Sequence, residues 1–332
     1  MKKIILSVAA LFCVTTLFAK PNANTKNYKT YETTDKNAPV VYFIRDIKPE
    51  NLVKIYKKLG EQGWQASSKN GVKMTTGESN NSNHLRPDFV KELLALNGGV
   101  IVECNTAYGG NRDTPEEHER VFVERGYDKV AKFDLLDKKD YMSIPVKGGV
   151  NLKEDLVGAG FAAYDSFLVR SHFKGHSMGG FGGAIKNLSI GFASGTSVKK
   201  SGKLLIHSGG HSTSSWGGGT QDQFLECMAE AAKAVVDYMA AKKGTGYINV
   251  MNRLSVDCDC DGNPAEPDMH DIGILASVDP VALDQACVDL VYTAEDSGSL
   301  IERIESRNGI HTLEHAEKIG FGSRKYRLVE IK

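Results

Sequence analysis

Short apolar runs alternate with amphipathic stretches from Pro39 onward, and this alternation constrains the fold more than any other feature of the sequence. Residues 40–44, 100–104 and 166–170 have the length and apolar character of buried strands, and stretches with helical periodicity lie between them. Parallel strands require such connections, because a helix returns the chain to the edge where the next strand begins. The pattern therefore predicts an α/β fold with a mainly parallel sheet, or sheets, flanked by helices.

Helix-start signals support this alternation. Thr114 is followed by Pro115, Glu116 and Glu117, so a hydroxyl cap, a first-turn proline and two acidic side chains coincide at the positive end of a helix. The periodicity places helices at residues 49–61, 86–96, 114–125, 221–241 and 280–291. Further strands are predicted at residues 72–75, 248–256 and 271–278.

The first 19 residues have the pattern of a secretory signal peptide. Lys2 and Lys3 precede an apolar run over residues 4–18, and the small residue Ala19 follows it. The run is shorter than the roughly 20 apolar residues that span a bilayer, so cleavage near Ala19 is favoured over retention as an anchor. We therefore expect secretion through the inner membrane into the periplasm, with no membrane span after cleavage.

Residue composition divides the chain after the predicted signal peptide into two segments. Residues 20–38 are polar and form a predicted flexible lead-in, whereas residues 39–330 form the α/β domain, which can be divided into lobes at 39–150 and 151–330. Across all 332 residues, 41 Lys and Arg balance 41 Asp and Glu. This balance argues against a nucleic-acid-binding protein, because such proteins usually carry a basic surplus.

Glycine, histidine and lysine are concentrated between positions 171 and 188. Glycines allow backbone N–H groups to approach an anion closely, and a nearby lysine can hold a phosphate or carboxylate, or act as a nucleophile when its pKa is lowered. We therefore predict catalytic roles for His176, Lys186 and His172. A glycine-lined packing turn with surface histidines is the alternative. The predicted cofactor-binding glycines are Gly180, Gly182 and Gly183.

Two arginines are candidates for holding an acidic group of a ligand. Arg86 lies just before a predicted helix, and Arg112 lies in a loop that follows a predicted strand. Ligands of open α/β sheets bind beyond the carboxyl ends of the strands. We therefore expect the loop at residues 105–112 to face the loop at 171–187 across one cleft, with Lys186 close to one of the two histidines.

A dense cluster of thiols and carboxylates covers Asp257, Cys258, Asp259, Cys260 and Asp261. One of the six cysteines lies in the predicted leader, which leaves an odd number in the mature chain. A disulfide between two cysteines with one residue between them is not expected, because such a bridge is strained. The two thiolates are predicted to bind a soft or borderline metal ion. Ordinary loop cysteines are the alternative interpretation.

Three segments together resemble one protein family. They are residues 180–188 (GFGGAIKNL), residues 258–260 (CDC) and residues 271–287 (DIGILASVDPVALDQAC). The combination resembles the iron–sulfur-associated family known as domain of unknown function 362, over about residues 40–330. The resemblance implies a bound metal ion or an iron–sulfur cluster. A ferredoxin-type four-cysteine cluster is not expected, because residues 201–219 contain no cysteine.

A fainter resemblance is to the nickel-pincer lactate racemases. Residues 176–186 resemble their His…Gly-Phe-Ser-Gly-Gly-x-Lys motif, which implies an acid/base role for His176 and cofactor attachment for Lys186. Two shorter motifs contribute cofactor-binding candidates, namely Arg86 in residues 83–87 and Asn111 and Arg112 in residues 109–112. Asn111 stands where these enzymes have a catalytic histidine, so one of the two bases needed for racemisation is missing.

Three functions are consistent with these features. The first is an exported α/β protein that binds a metal ion or cofactor and has a redox or enzymatic role. The second is a lactate-racemase-like isomerase that acts on a 2-hydroxy acid. The third is a non-enzymatic periplasmic module that binds an anion. A small anionic ligand is compatible with these features, nucleic acid is not an expected partner, and the sequence identifies no protein partner.

Overall fold

The computed structural model describes residues 20–23, 25 and 27–332, so the predicted leader lies outside the described residues. The strands of the described chain are β1 (Val40–Ile44), β2 (Asn70–Lys73), β3 (Val100–Glu103), β4 (Lys132–Leu135), β5 (Tyr141–Pro145), β6 (Glu154–Gly158), β7 (Ser166–His172), β8 (Lys174–His176), β9 (Gly180–Gly182), β10 (Thr245–Met251), β11 (Gly273–Ser277) and β12 (Arg327–Glu330). The helices are α1 (Pro49–Glu61), α2 (Pro87–Leu96), α3 (Pro115–Glu124), α4 (Ala184–Phe192), α5 (Gly202–His207), α6 (Gln221–Ala240), α7 (Pro280–Thr293), α8 (Gly298–Ser306) and α9 (His311–Lys318). None of these described helices is long and apolar enough to cross a membrane.

Eight of the described strands form one sheet, in the order β12-β1-β11-β10-β7-β2-β3-β4. Neighbouring strands are parallel except at β11, which runs antiparallel to both β1 and β10. The predicted α/β fold with a mainly parallel sheet is therefore confirmed. Strands from residues 39–150 and from residues 151–330 lie side by side in this one sheet.

Helices cover both faces of the sheet. Ile44 and Leu168 pack with residues of α1 and α2 on one face, whereas Phe43 and Val169 pack with residues of α4, α6 and α7 on the other. Successive side chains of a strand point to opposite faces, so both faces of each central strand must be apolar. This burial explains the continuous apolar run of β1 and the apolar residues at the centres of β3 and β7.

The chain changes its direction of winding between β7 and β2. The strands β2, β3 and β4 follow one another towards one edge of the sheet, whereas the chain continues from β7 to β10 towards the other edge. In open parallel sheets a crevice forms at such a point, outside the carboxyl ends of the strands. The fold therefore places a crevice beyond the ends of β2 and β7.

One strand end differs from the prediction in a way that matters for this crevice. β10 ends at Met251 rather than at residue 256. Arg253 adopts a left-handed backbone conformation with φ of 44°, which an extended strand cannot continue. Residues 252–272 consequently form a loop beyond the carboxyl end of β10.

Part of the segment predicted as a flexible lead-in contacts α7. The Tyr28 hydroxyl donates to Oδ1 of Asp289 at 2.9 Å, and the backbone N–H of Tyr31 donates to Oδ2 at 2.6 Å. The backbone N–H of Thr33 donates to the carbonyl of Tyr326 at 2.8 Å. These bonds hold the end of the segment against the domain before β1 begins.

Candidate functional site

A cleft with a volume of about 500 Å³ opens beyond the carboxyl ends of β2, β3 and β7. Four stretches form most of its wall, and they are residues 73–78, 103–112, 171–191 and 258–262. The loop after β3, the glycine-rich segment after β7 and the loop after β10 therefore face one another. The structure therefore places the two loops predicted to face each other, at residues 105–112 and 171–187, in the wall of one cleft.

The glycine-rich segment after β7 begins as a hairpin. β8 pairs with β9 antiparallel, and His176 lies opposite Gly180. Nδ1 of His176 accepts hydrogen bonds from the backbone N–H groups of Gly179 at 2.8 Å and Met178 at 3.3 Å, so the ring proton of the neutral imidazole is on Nε2. Burial and the charge of Lys186 hold the pKa of His176 well below its usual value, and the side chain is therefore a neutral donor in the cleft wall.

The N-terminus of α4 follows this hairpin and is capped by a carboxylate from α7. Asp284 accepts hydrogen bonds from the backbone N–H groups of Ala184 at 2.7 Å and Ile185 at 2.9 Å. A Cβ atom at Gly183 would lie 2.4 Å from Oδ1 of Asp284, so this approach requires glycine. The anion held by the glycine turn is thus the protein's own Asp284, and the first turn of α4 places Lys186 in the cleft wall.

The ammonium group of Lys186 has no hydrogen bond or ion pair with any residue that the structure describes. Burial lowers the pKa of its ammonium group to about 7, and the charge of Lys174 acts in the same direction. The Lys186 charge in turn contributes to the lowered pKa of His176, which places the two side chains in one electrostatic environment.

Two further lysines line the same cleft. Lys73 at the end of β2 donates to Oδ1 of Asn187 at 3.0 Å, and Lys203 on α5 donates to the carbonyl of Ala193. Burial lowers the pKa of Lys73 to about 8 and also lowers that of Lys203. Among the described residues, no carboxylate oxygen lies within 4.0 Å of the ammonium nitrogens of Lys73, Lys186 and Lys203.

Arg112 is a buried cation whose guanidinium is held by hydrogen bonds and carboxylates within the protein. Its guanidinium donates to Oε1 of Glu78, to the Thr75 hydroxyl at 2.9 Å and to the Tyr108 hydroxyl at 3.0 Å. The carboxylate of Glu103 lies 3.5 Å away. The side chain is 4% exposed, so two carboxylates balance its charge inside the protein and hold it in place.

Asp259, between the two cysteines, joins the loop after β10 to the hairpin. Its carboxylate accepts from the ammonium of Lys174 at 2.5 Å and lies 3.1 Å from Nδ1 of His172. Although burial alone would raise the pKa of Asp259, the charges of His172 and Lys174 hold it well below its usual value. Nε2 of His172 bonds the carbonyl of Asn252 at 2.6 Å. Both ring nitrogens of His172 are therefore engaged in holding this loop.

Cys258 and Cys260 form a disulfide, so the expectation of no bridge between them was wrong. That expectation rested on the strain of a bridge across one residue, whereas the backbone turns here and the N–H of Asp261 donates to the carbonyl of Cys258 at 2.9 Å. The turn places the two Cα atoms 5.2 Å apart, within the range that a disulfide spans. The other cysteines of the described chain are buried free thiols at Cys104, Cys227 and Cys287.

The cysteine pair and His176 form a group that could hold a metal ion. A ring nitrogen of His176 and the two sulfur atoms all lie within 4.8 Å of one another. Thiolate and imidazole ligands suit soft and borderline ions. The disulfide must first be reduced, because a thiolate is the form of cysteine that binds metal. Three ligand atoms match a single ion rather than a four-cysteine cluster.

Most of the site residues predicted from the sequence line the cleft; Arg86 and Gly180 do not. Arg86 is exposed before α2, where its guanidinium contacts His84 and donates to the carbonyl of Ser82 at 3.0 Å. Gly180 has a φ of 78°, and a Cβ atom there would lie 2.9 Å from the Cα of Gly309. Gly180 therefore permits a close approach of two backbones, and Arg86 stabilises a loop.

Sequence reasoning missed Lys73, Lys203 and Asp284. A lysine between Val72 and Met74 interrupts an apolar strand, and this is a signal that could have identified Lys73. Lys203 likewise precedes a short apolar run at residues 204–206. Asp284 carried no such signal, because its hydrogen-bond partner Ala184 is 100 residues away in the chain.

Three comparisons relate this chain to known proteins. The family model described as domain of unknown function (DUF362) matches residues 71–289. A comparison with curated proteins finds no match. Among solved structures, the lactate racemase apoprotein from Thermoanaerobacterium thermosaccharolyticum is 17% identical, with a TM-score of 0.35. That match covers 63% of this chain and 50% of the racemase chain, so this chain spans about half the length of that protein. A similarity this weak carries no functional conclusion. The family model covers most of the chain, and the protein therefore belongs to the DUF362 family.

Proposed function

We propose that this protein binds a small ligand with at least two negative charges in the cleft, and that Lys186 contacts this ligand directly. The observation that carries the proposal is that Lys73, Lys186 and Lys203 line one cleft without a carboxylate within 4.0 Å. A buried ammonium group without an ion-pair partner is costly, and a phosphate or carboxylate ligand supplies that partner. The ligand is the substrate or the anionic cofactor of an enzyme.

The other cations of the cleft support this assignment by contrast. Glu78 lies 2.9 Å from Arg112, and Asp259 lies 2.5 Å from Lys174, so both of these charges are neutralised within the protein. Affinity for a polyanion therefore depends on the three lysines without ion pairs. Of these, Lys186 is the one whose ammonium group also lacks a hydrogen bond to a described residue.

Calorimetric titration with pyrophosphate and with citrate tests the proposal. At pH 7 and low salt we expect both probes to bind, and Lys186→Met to weaken binding by about tenfold or more, because a charge-assisted contact is lost. Lys91→Met is the matched control, since Lys91 is exposed on α2. Wild-type protein that binds neither probe, or a Lys186→Met variant with unchanged affinity, would contradict the proposal.

A second candidate function is a metal centre in the reduced protein. It is favoured by the placement of the two sulfurs and a ring nitrogen of His176 within 4.8 Å of one another. Anaerobic titration of the reduced protein with Co²⁺ should produce thiolate-to-metal absorption. Cys258→Ser with Cys260→Ser should abolish the absorption, and Cys227→Ser, which changes a buried thiol, should retain it. Absorption that persists in the double variant would exclude this centre.

The 2-hydroxy acid isomerase alternative has weaker support. Racemisation by two bases requires a second proton-transfer group opposite the first. Asn111 occupies the corresponding loop position, where its amide donates to Ser79 and its backbone N–H donates to Glu78 at 3.2 Å. His172 has both ring nitrogens engaged. Neither residue supplies a base to pair with His176.

We also propose export to the periplasm, on the pattern of residues 1–19 alone. N-terminal sequencing of protein recovered from a bacterial periplasmic extract should find a mature start near Lys20. Replacing Leu6, Val8 and Leu11 by charged residues should leave an uncleaved precursor in the cytoplasm. Full-length protein with an intact Met1 in the extract would contradict cleavage.

A further inference from the structure

We propose that Cys258 and Cys260 form a redox-active cystine that exchanges electrons with a dithiol entering the cleft. This activity requires neither a bound polyanion nor a metal ion, so it goes beyond the function proposed above. The pair lies in the cleft wall, and Cys260 is half-buried whereas Cys258 is 5% exposed. A thiol that enters the cleft therefore reaches the sulfur of Cys260 first.

The disulfide is not needed to hold the loop in place. Asn81 donates to the carbonyls of Cys258 at 3.3 Å and Asp261 at 2.8 Å, and the backbone N–H of Glu78 donates to the carbonyl of Asp259 at 2.8 Å. A bridge across one residue closes a very short loop, and the stabilisation from a disulfide grows with loop length. A purely structural role therefore does not explain this disulfide.

The surroundings of Cys258 suit it as the leaving group. The backbone N–H of Cys260 donates to the sulfur of Cys258 at 3.2 Å, and this bond strengthens when the sulfur becomes a thiolate. A ring nitrogen of His176 lies within 4.8 Å of both sulfurs, and its Nε2 carries the ring proton. The neighbouring carboxylate of Asp259 is bonded to Lys174, so its charge is compensated.

The proposed exchange has two steps. A thiolate of the dithiol attacks the sulfur of Cys260, the bond between Cys260 and Cys258 breaks, and its electron pair leaves on the sulfur of Cys258, which takes up a proton. The second thiolate of the partner then attacks the partner's own sulfur in the mixed disulfide, and Cys260 leaves as a thiolate that takes up the second proton. The partner is oxidised to a disulfide, and the protein gains two electrons and two protons. An oxidised dithiol reverses the sequence.

Native full-length protein equilibrated with mixtures of reduced and oxidised dithiothreitol tests the exchange. After acid quenching and alkylation, mass spectrometry should show Cys258 and Cys260 passing reversibly from disulfide to dithiol, with the dependence of a two-electron couple. The midpoint of thermal unfolding should change little between the two forms. A bond that is reduced only after unfolding in urea, or that does not form again on oxidation, would overturn the proposal.

The order of attack is tested with single variants. In Cys258→Ser the remaining Cys260 thiol should react with 5,5′-dithiobis(2-nitrobenzoate) roughly tenfold faster than Cys258 does in Cys260→Ser, because reaction requires access. Cys104, Cys227 and Cys287 are buried and should stay unreacted in the native protein, which provides an internal control. If either variant does not fold, glutathione trapped as a mixed disulfide on the wild type should map to Cys260. A mixed disulfide on Cys258, or a reversed order of rates, would overturn the assignment.

Discussion

Replacing Lys186 with methionine should make the ligand-free protein more stable while it weakens polyanion binding. Burial lowers the pKa of Lys186 from 10.5 to about 7. At about 1.4 kcal/mol for each tenfold change in an equilibrium constant, this difference corresponds to roughly 4 to 5 kcal/mol against the charged form. The side chain keeps partial contact with water in the cleft, so we expect Lys186→Met to raise the free energy of unfolding by about 1 to 3 kcal/mol at pH 7.

The pH dependence of this gain identifies its cause. Below a pH of about 7, Lys186 is charged in both the folded and the unfolded chain, and the folded protein bears the whole cost of burying the charge. As the pH rises from about 7 towards 10.5, the folded form is neutral while the unfolded chain still binds the proton, so the stability of the wild type rises. The advantage of the variant should therefore shrink over this interval.

Urea denaturation followed by tryptophan fluorescence measures this difference. Unfolding curves at pH 7 and pH 9.5, in a buffer without multivalent anions, should show the variant ahead at pH 7 and close to the wild type at pH 9.5. Lys91→Met should differ from the wild type by less than about 0.5 kcal/mol at both values. A Lys186→Met variant that is less stable than the wild type at pH 7, or whose advantage does not change with pH, would refute the reasoning.

Three further predictions follow from buried groups near the cleft and in the core. Gly183→Ala should lower the free energy of unfolding by about 2 kcal/mol in urea titrations, because the new Cβ would lie 2.4 Å from Oδ1 of Asp284. Gly217→Ala is the control, since a Cβ atom there meets no atom within 4 Å. Equal effects of the two substitutions would contradict the capping of α4 by Asp284. Binding of citrate at pH 8, where its three carboxyl groups are ionised, should be accompanied by uptake of up to one proton at Lys186, because the anion raises the pKa of this lysine. Calorimetry in two buffers with different ionisation enthalpies measures that uptake, and a value of zero would argue against contact. Burial raises the pKa of Asp155 to about 7, so wild-type stability should fall as the pH rises from about 4 to 7 and stay low above pH 7. Asp155→Asn should reduce this pH dependence. Parallel curves of stability against pH for the two proteins between pH 5 and pH 8 would exclude this carboxyl as the cause.

Local patterns in the sequence determined the architecture and much of the site. The alternation of apolar and amphipathic stretches predicted the α/β fold, because strand and helix periodicity depend on neighbouring residues. Thr114 was placed correctly as the cap of α3, where its hydroxyl accepts the N–H of Glu117. The segment with His176 and Lys186 was recognised because its unusual residue types are close together in the chain, and the structure places both in one cleft.

Tertiary structure alone decided how these groups are charged and paired. Asp284 reaches the start of α4 from 100 residues away, and Asp259 reaches Lys174 from 85 residues away, so no local pattern shows which cations are neutralised. The turn that joins Cys258 to Cys260 likewise depends on distant groups, since Asn81 holds the carbonyls on both sides of it. The physical reason is that burial and the approach of distant charges set the state of an ionisable side chain, and both are established only when the strands assemble into the sheet.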